Sequence, residues 1–168
     1  MPIPPMRRKE RQLELSSAQI ILSAGEYGVL STVDNDGQPY GVPVNYVYYN
    51  DAIYFHSAGH GHKITNLKDN PRVSFCVVAY SLVVPDSFSS DYESVILFGR
   101  AEEIFGEDKL EALHAIADRF SPQNKDKGNK MIIRLFNSTK VIKITIDELM
   151  GKARREVIQE TSVDQTQG

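Results

Sequence analysis

The residues with the most chemical potential lie in one stretch, Phe55-His56-Ser57-Ala58-Gly59-His60-Gly61-His62-Lys63. A β-branched and aromatic run ends there and a short helical pattern begins, so the stretch reads as a strand-to-helix turn. Free backbone N–H groups at a helix start form an anion site, and small residues such as Ala58 and Gly61 let a ligand approach the backbone. Ser57 adds a hydroxyl donor, and His62 and Lys63 add cationic side chains. Phosphate suits this set of donors. A polar loop with surface histidines is the plainer alternative for the segment.

Three of the four histidines fall within seven residues, and His60 and His62 have a spacing that some metal sites use. No acidic residue or cysteine in the segment completes a coordination shell, so no metal is expected. His114 lies on a later helical pattern and reads as a surface or core-edge residue. Nucleophilic catalysis finds little support: there is no G-x-S-x-G elbow, and the single cysteine, Cys76, has no electropositive neighbour in sequence. Cys76 sits in the apolar run Val73 to Val78 and reads as a small buried hydrophobe, while one cysteine cannot form an internal disulfide, which suits a reducing cytoplasm. The chain contains neither G-x-G-x-x-G nor a P-loop.

The elements that must position these groups are mostly strands. Ser16 and Ser17 predict a cap for a short helix reaching Ala24, with Ile20, Ile21 and Ala24 on one face and Gly25 as its stop. Strands are expected over Tyr27–Val33, Tyr40–Tyr49 and Ala52–His56, with turns at Asp34-Asn35-Asp36-Gly37 and Asn50-Asp51. A short helix follows over Gly61–Lys68, ended by Asn70-Pro71. Two more strands, Val73–Ala79 and Ser94–Ile104, flank a polar loop over Pro85–Asp91. Leu110, Leu113, Ala117 and Phe120 predict an amphipathic helix over Glu107–Phe120. A polar linker, Ser121–Gly128, leads to a helical turn or two around Met131–Phe136 and a last, half-exposed strand, Thr139–Ile146. The whole reads as a mainly β, α+β domain over 16–156, with an N-terminal arm over 1–15 and a disordered tail over 157–168. Six strands with short turns suggest a small barrel.

With 168 residues, 41% hydrophobic and 24% charged, the chain has the composition of one soluble domain. Its formal charge of -3 argues against broad nucleic-acid or membrane-surface binding. Arg7, Arg8, Lys9 and Arg11 form a basic cluster that reads as a solvated arm. No apolar stretch approaches the roughly 20 residues of a membrane span, and Met1–Glu10 lacks the apolar core of an export signal. The expected location is cytoplasmic.

The series Gln38-Pro39-Tyr40, Val42-Pro43-Val44-Asn45, Ile53 to Ser57, Gly61-His62-Lys63 and Asn70 to Phe75 resembles the flavin-binding core of the pyridoxamine-phosphate-oxidase-like superfamily. Ser94-Val95-Ile96-Leu97-Phe98-Gly99-Arg100-Ala101 and the pair Gly151-Lys152 are similar to its 5-nitroimidazole-resistance (Nim) branch. The resemblance covers residues 20 to 155. It implies a six-stranded split β-barrel that forms a two-fold homodimer with flavin sites at the interface. It places Ser57, His62 and Lys63 at the flavin phosphate, with His62 standing where the family has Arg and losing its charge near neutral pH. Val42 to Asn45 are placed along the isoalloxazine, Lys152 at the cofactor, and His56 in the active site as a proton donor or orienter.

The cofactor implied is FMN, with FAD admitted by the same pocket, and the activity implied is electron transfer to a small acceptor such as a nitroaromatic. The chain lacks the C-terminal Arg and Trp of true pyridoxamine-phosphate oxidases and contains no Trp at all, which speaks against vitamin B6 oxidation. Two alternatives stay open: a flavin carrier or sensor without turnover, and a haem protein using a histidine as axial ligand.

Overall fold

Period-two alternation of apolar and polar residues runs through most of the chain and builds one antiparallel sheet. A computed structural model describes residue 3 and residues 5–154; the tail expected over 157–168 lies outside the described residues. The strands are β1 (Tyr27–Val33), β2 (Pro39–Asn45), β3 (Val47–Tyr49), β4 (Ala52–Ala58), β5 (Arg72–Val84), β6 (Ser89–Ile104) and β7 (Thr139–Arg154). The helices are α1 (Leu15–Ala24), α2 (His62–Asp69), α3 (Gly106–Phe120) and α4 (Lys125–Leu135). The sheet order is β2-β1-β5-β6-β7-β4-β3. This is a mainly β, α+β fold of the split-barrel type.

The strand expected over Tyr40–Tyr49 is two strands, which makes seven rather than six. Tyr46 separates them: it is buried, its hydroxyl donates to the Leu22 carbonyl at 2.5 Å, and its ring meets Phe75 edge-on at 5.0 Å. Burial raises the pKa of this phenol, which keeps it a neutral donor. β2 and β3 therefore stand at opposite ends of the sheet order. The hydrogen-bond ladder does not close; the chain itself joins the two edges through Tyr46.

Inward residues of the strands, among them Leu30, Phe55, Phe75, Val77, Leu97 and Ile144, form the barrel core with Leu22 of α1. Each such side chain contributes about 1.5–3 kcal/mol of hydrophobic stabilisation. A second cluster lies on the outer face of β4 and β7, where Tyr54 and Val141 meet Ala112 and Leu113 of α3 and Ile132 of α4. β4 is thus buried on both faces from Ala52 to Phe55, and exposure begins at His56.

Several local expectations are corrected. α1 starts after Glu14 with no side-chain cap, and Ser16 and Ser17 lie inside it. Its buried face is Ala18, Ile21 and Leu22, while Ile20 is exposed because the barrel lies on the other side. Gly25 does end α1, in extended backbone; a Cβ there would lie 2.6 Å from the Tyr46 hydroxyl. In α3 the buried stripe is Lys109, Ala112, Leu113 and Ile116, whereas Leu110 and Phe120 are exposed. Lys109 is at home there because its Nζ donates to the Phe136 carbonyl at 2.6 Å and sits over that ring.

Half of the expected linker Ser121–Gly128 belongs to the start of α4, which begins at Lys125, and Pro122–Asn124 before it is a 3-10 turn. β5 and β6 extend the expected hairpin, leaving only Pro85–Ser87 as a 3-10 turn, with Phe88 at φ +46°. β7 runs to Arg154, so Gly151 and Lys152 lie within it rather than after it. Cys76 is half-buried on the outer face of β5, and burial raises the pKa of its thiol. No described helix is long and apolar enough to cross a membrane.

Candidate functional site

Adjacent residues of a strand face opposite sides, and β4 ends by using both. Ser57 points inward with Phe55; it is buried, and its Oγ has no hydrogen-bond partner among the described residues. Such a buried hydroxyl is costly unless something else meets it, by about 1–3 kcal/mol. Beyond Ala58 the chain turns through Gly59 and His60 to Gly61, at φ +131°, a conformation open in practice to glycine. The Gly61 carbonyl accepts the N–H groups of Ile64 and Thr65 at 2.9 and 3.1 Å. The His62 and Lys63 amides precede these in the first turn of α2, which has no side-chain cap. A Cβ at Gly59 or Gly61 would meet nothing within 4 Å, so this side of the turn is open. Hydroxyl, first-turn amides and ammonium together fit a phosphate.

The orientation of α2 has its own device. Asn66, fully buried, donates through Nδ2 to Thr32 Oγ1 at 2.9 Å, and that hydroxyl donates in turn to the Tyr40 carbonyl at 3.4 Å. The Tyr40 ring stacks on His62 with centroids 4.2 Å apart. Residues 62 and 66 are one helical turn apart, so docking Asn66 also fixes where His62 and Lys63 point. Sequence reading missed Thr32 and Asn66. The available signal was a threonine at the inward position two residues beyond Leu30, a hydroxyl that needs a buried partner.

β2 is an edge strand. Val42 and Val44 turn their side chains to the barrel core, while Pro43 and Asn45 are exposed. The Asn45 amide donates to the Glu26 carbonyl at 3.0 Å. Pro39 and Pro43 are four residues apart, so both nitrogens face the same side; pairing with β1 requires that side to be the open one. Gly41 and Asn45 then present the outward N–H groups of this edge, available to the polar rim of a flat ligand.

His56 faces the other way, into a cleft of about 570 Å³ between the sheet and the α3–α4 pair. Asn45 and Thr139 share its polar side, and Leu113, Ile116, Phe120, Met131 and Leu135 are among its apolar walls. His56 keeps access to solvent, but partial desolvation against the cleft walls first, and the nearby Lys63 ammonium second, lower its imidazole from the ordinary histidine value. At neutral pH it is an uncharged donor and acceptor.

His56, Ser57, Ala58, Gly61, His62 and Lys63 are thus contiguous around the β4–α2 turn, and Asn45 joins His56 at the cleft. Lys152 is elsewhere. Ser57 pairs with Lys140 of β7, and Lys152 lies twelve positions further along that strand, roughly 40 Å of extended chain. There its Nζ sits over the Tyr92 ring, 5.5 Å from the centroid, and Arg11 donates to the Tyr92 hydroxyl. Among the described residues, no three His, Cys, Asp or Glu side chains gather as a metal site.

The family model described as pyridoxamine 5'-phosphate oxidase matches residues 16–153. No curated protein sequence matches the chain. Among solved structures, a candidate 5-nitroimidazole antibiotic resistance protein from Bacteroides thetaiotaomicron is similar at 26% identity and TM-score 0.70, over 84% of this chain and 86% of that one. An FAD-binding protein from Mesorhizobium loti is similar at 27% identity and TM-score 0.63, over 86% of this chain and 98% of that one. An FAD- and haem-binding protein from Mycobacterium smegmatis shares the fold at 22% identity and TM-score 0.76, over 87% and 74% of the two chains.

Proposed function

The chain belongs to the pyridoxamine 5'-phosphate oxidase family, and on that premise we propose that it is a flavin-binding oxidoreductase reducing a small acceptor such as a nitroaromatic. The observation that carries this reading is the β4–α2 turn. It offers an unmet buried hydroxyl on Ser57, first-turn amides of His62 and Lys63, and the Lys63 ammonium within one short segment. These groups would hold the phosphate of FMN, or of FAD, and the outward N–H groups of β2 would meet the ring's polar rim. The similarity to an FAD-binding protein and to a candidate nitroimidazole-resistance protein supports the same reading.

A bound flavin would supply the electrons; the protein supplies position and electrostatics. His56, neutral at physiological pH, would orient the acceptor by a hydrogen bond. In a homodimer, Lys152 would reach a flavin site only from the partner copy. An uncovered outer face supports such pairing: Val29, Cys76, Ile96 and Met150 are in register across β1, β5, β6 and β7, with Val29 and Ile96 exposed.

One observation favours a second reading. A neutral imidazole projecting into an apolar cleft is also what an axial haem ligand requires. The absorption spectrum of the purified protein separates the two. Flavin bands at about 370 and 450 nm support the first reading, and a Soret band the second. Flavin bands with nitroaromatic turnover by reduced nicotinamide make it an enzyme; bands without turnover make it a carrier. The absence of both chromophores, with no uptake of added FMN or haem, would sink both readings.

A further inference from the structure

The α3–α4 cleft is separate from the phosphate cradle and is chemically unlike it. Its walls are apolar, with Leu113, Ile116, Phe120 and Met131 contributing, and its volume of about 570 Å³ lies within the range of small-molecule sites. Phe120 and Met131 are 37% and 41% exposed, so apolar surface is left open in a concave place. Three features limit the occupant. Among the described lining residues there is no Asp or Glu, so none of them offers a cation an opposite charge. Lys127 on α4 is the lining residue with a fixed positive charge. His56 adds an uncharged imidazole to the wall formed by the sheet.

We infer that this cleft is the acceptor pocket, and that it takes a flat, largely apolar nitroaromatic carrying a single anionic group, such as a nitroaromatic carboxylate or nitrophenolate, whose nitro group takes up the electrons. The apolar walls hold the ring system, Lys127 meets the anionic group, and His56 hydrogen-bonds the opposite edge. The role of acceptor rests on the flavin reading; the pocket and its selectivity do not. Met131 and Phe120 are then specificity-determining, because they narrow the pocket from the helix side.

The test titrates the full-length protein, as purified, with 2-naphthoate and with 2-naphthylmethylamine, followed by ligand fluorescence. The anion should bind and the cation should not. Met131→Trp, at a half-exposed position that tolerates bulk, should weaken naphthoate binding by roughly tenfold or more. Lys127→Glu should weaken it too, with the flavin absorbance unchanged in both variants. Equal binding of the two probes, no naphthoate binding, or binding indifferent to both substitutions would overturn the inference. A Soret band that Met131→Trp removes would also overturn it, since haem would then fill the cleft. Naphthoate binding by a protein that takes up no flavin would sustain the pocket and refute the flavin reading.

Discussion

His56 and Ser57 are neighbours in β4, yet they belong to two regions built in different ways. The cradle on the Ser57 side is local: one turn and the start of α2 supply nearly all of it, largely through backbone groups and charge. The cleft on the His56 side is assembled from β2, β4, α3, α4 and the start of β7, and its character is apolar. On the proposed reading, one strand end serves an anion on one face and a hydrophobic ligand on the other. Backbone and charge define the first; side-chain volume defines the second. Substitutions should separate them cleanly.

The largest effect is expected at Lys63. Lys63→Ala should weaken FMN binding by about 1.5–3 kcal/mol, the range of a charge-assisted hydrogen bond, and leave 2-naphthoate binding in the cleft unchanged. Calorimetric titration of the apo-protein checks this, and an unaltered dissociation constant would remove Lys63 from the cradle. A smaller effect is expected at Asn66. Asn66→Leu should lower stability by about 0.5–1.5 kcal/mol, the net worth of its lost bond to Thr32 Oγ1, and should loosen FMN in the wild-type background more than in Lys63→Ala. Denaturation curves and a double-mutant cycle give both quantities; equal losses in the two backgrounds would make Asn66 structural only.

The smallest effect concerns pH and His56. Folding lowers the His56 pKa below its ordinary value of 6.5. Above that value both folded and unfolded imidazoles are neutral and stability is unaffected. As pH falls below it, the unfolded chain takes up the proton first, so stability drops until the folded pKa is passed. The urea midpoint of the wild type should therefore fall between about pH 7.5 and 5.5, and His56→Gln should flatten that slope. Equal slopes would show that His56 is not desolvated in the cleft.

The same contrast explains what could be read from sequence. The cradle lay in nine consecutive residues, so residue type and spacing were enough to propose a phosphate ligand. Strand existence was also legible, because β-branched alternation reports directly on a sheet. The cleft was not legible. It depends on α3 lying on the sheet through Lys109, Ala112, Leu113 and Ile116, and the periodicity of Leu110, Leu113, Ala117 and Phe120 named a neighbouring face. Only the second half of α4 was legible, as the helical turns around Met131–Phe136, because its apolar residues begin at Met131, half-way along the helix. Tyr46 was hidden for another reason: an aromatic residue inside a Val- and Tyr-rich run gives no local sign that the strand breaks there. The Asn66–Thr32 bond joins positions 34 residues apart, beyond any local pattern.

The edge strand β2 has a colloidal consequence. An open row of backbone donors and acceptors is a template for another chain, and exposed edges are where sheet proteins aggregate. Pro39 and Pro43 remove every second N–H from the open side of β2, so an incoming strand would find its ladder interrupted at alternate rungs. A compact ligand needs only one or two of the remaining groups, at Gly41 and Asn45, and is not hindered. The spacing of two prolines thus filters partners by length: a small molecule can use the edge, and a polypeptide cannot zip along it.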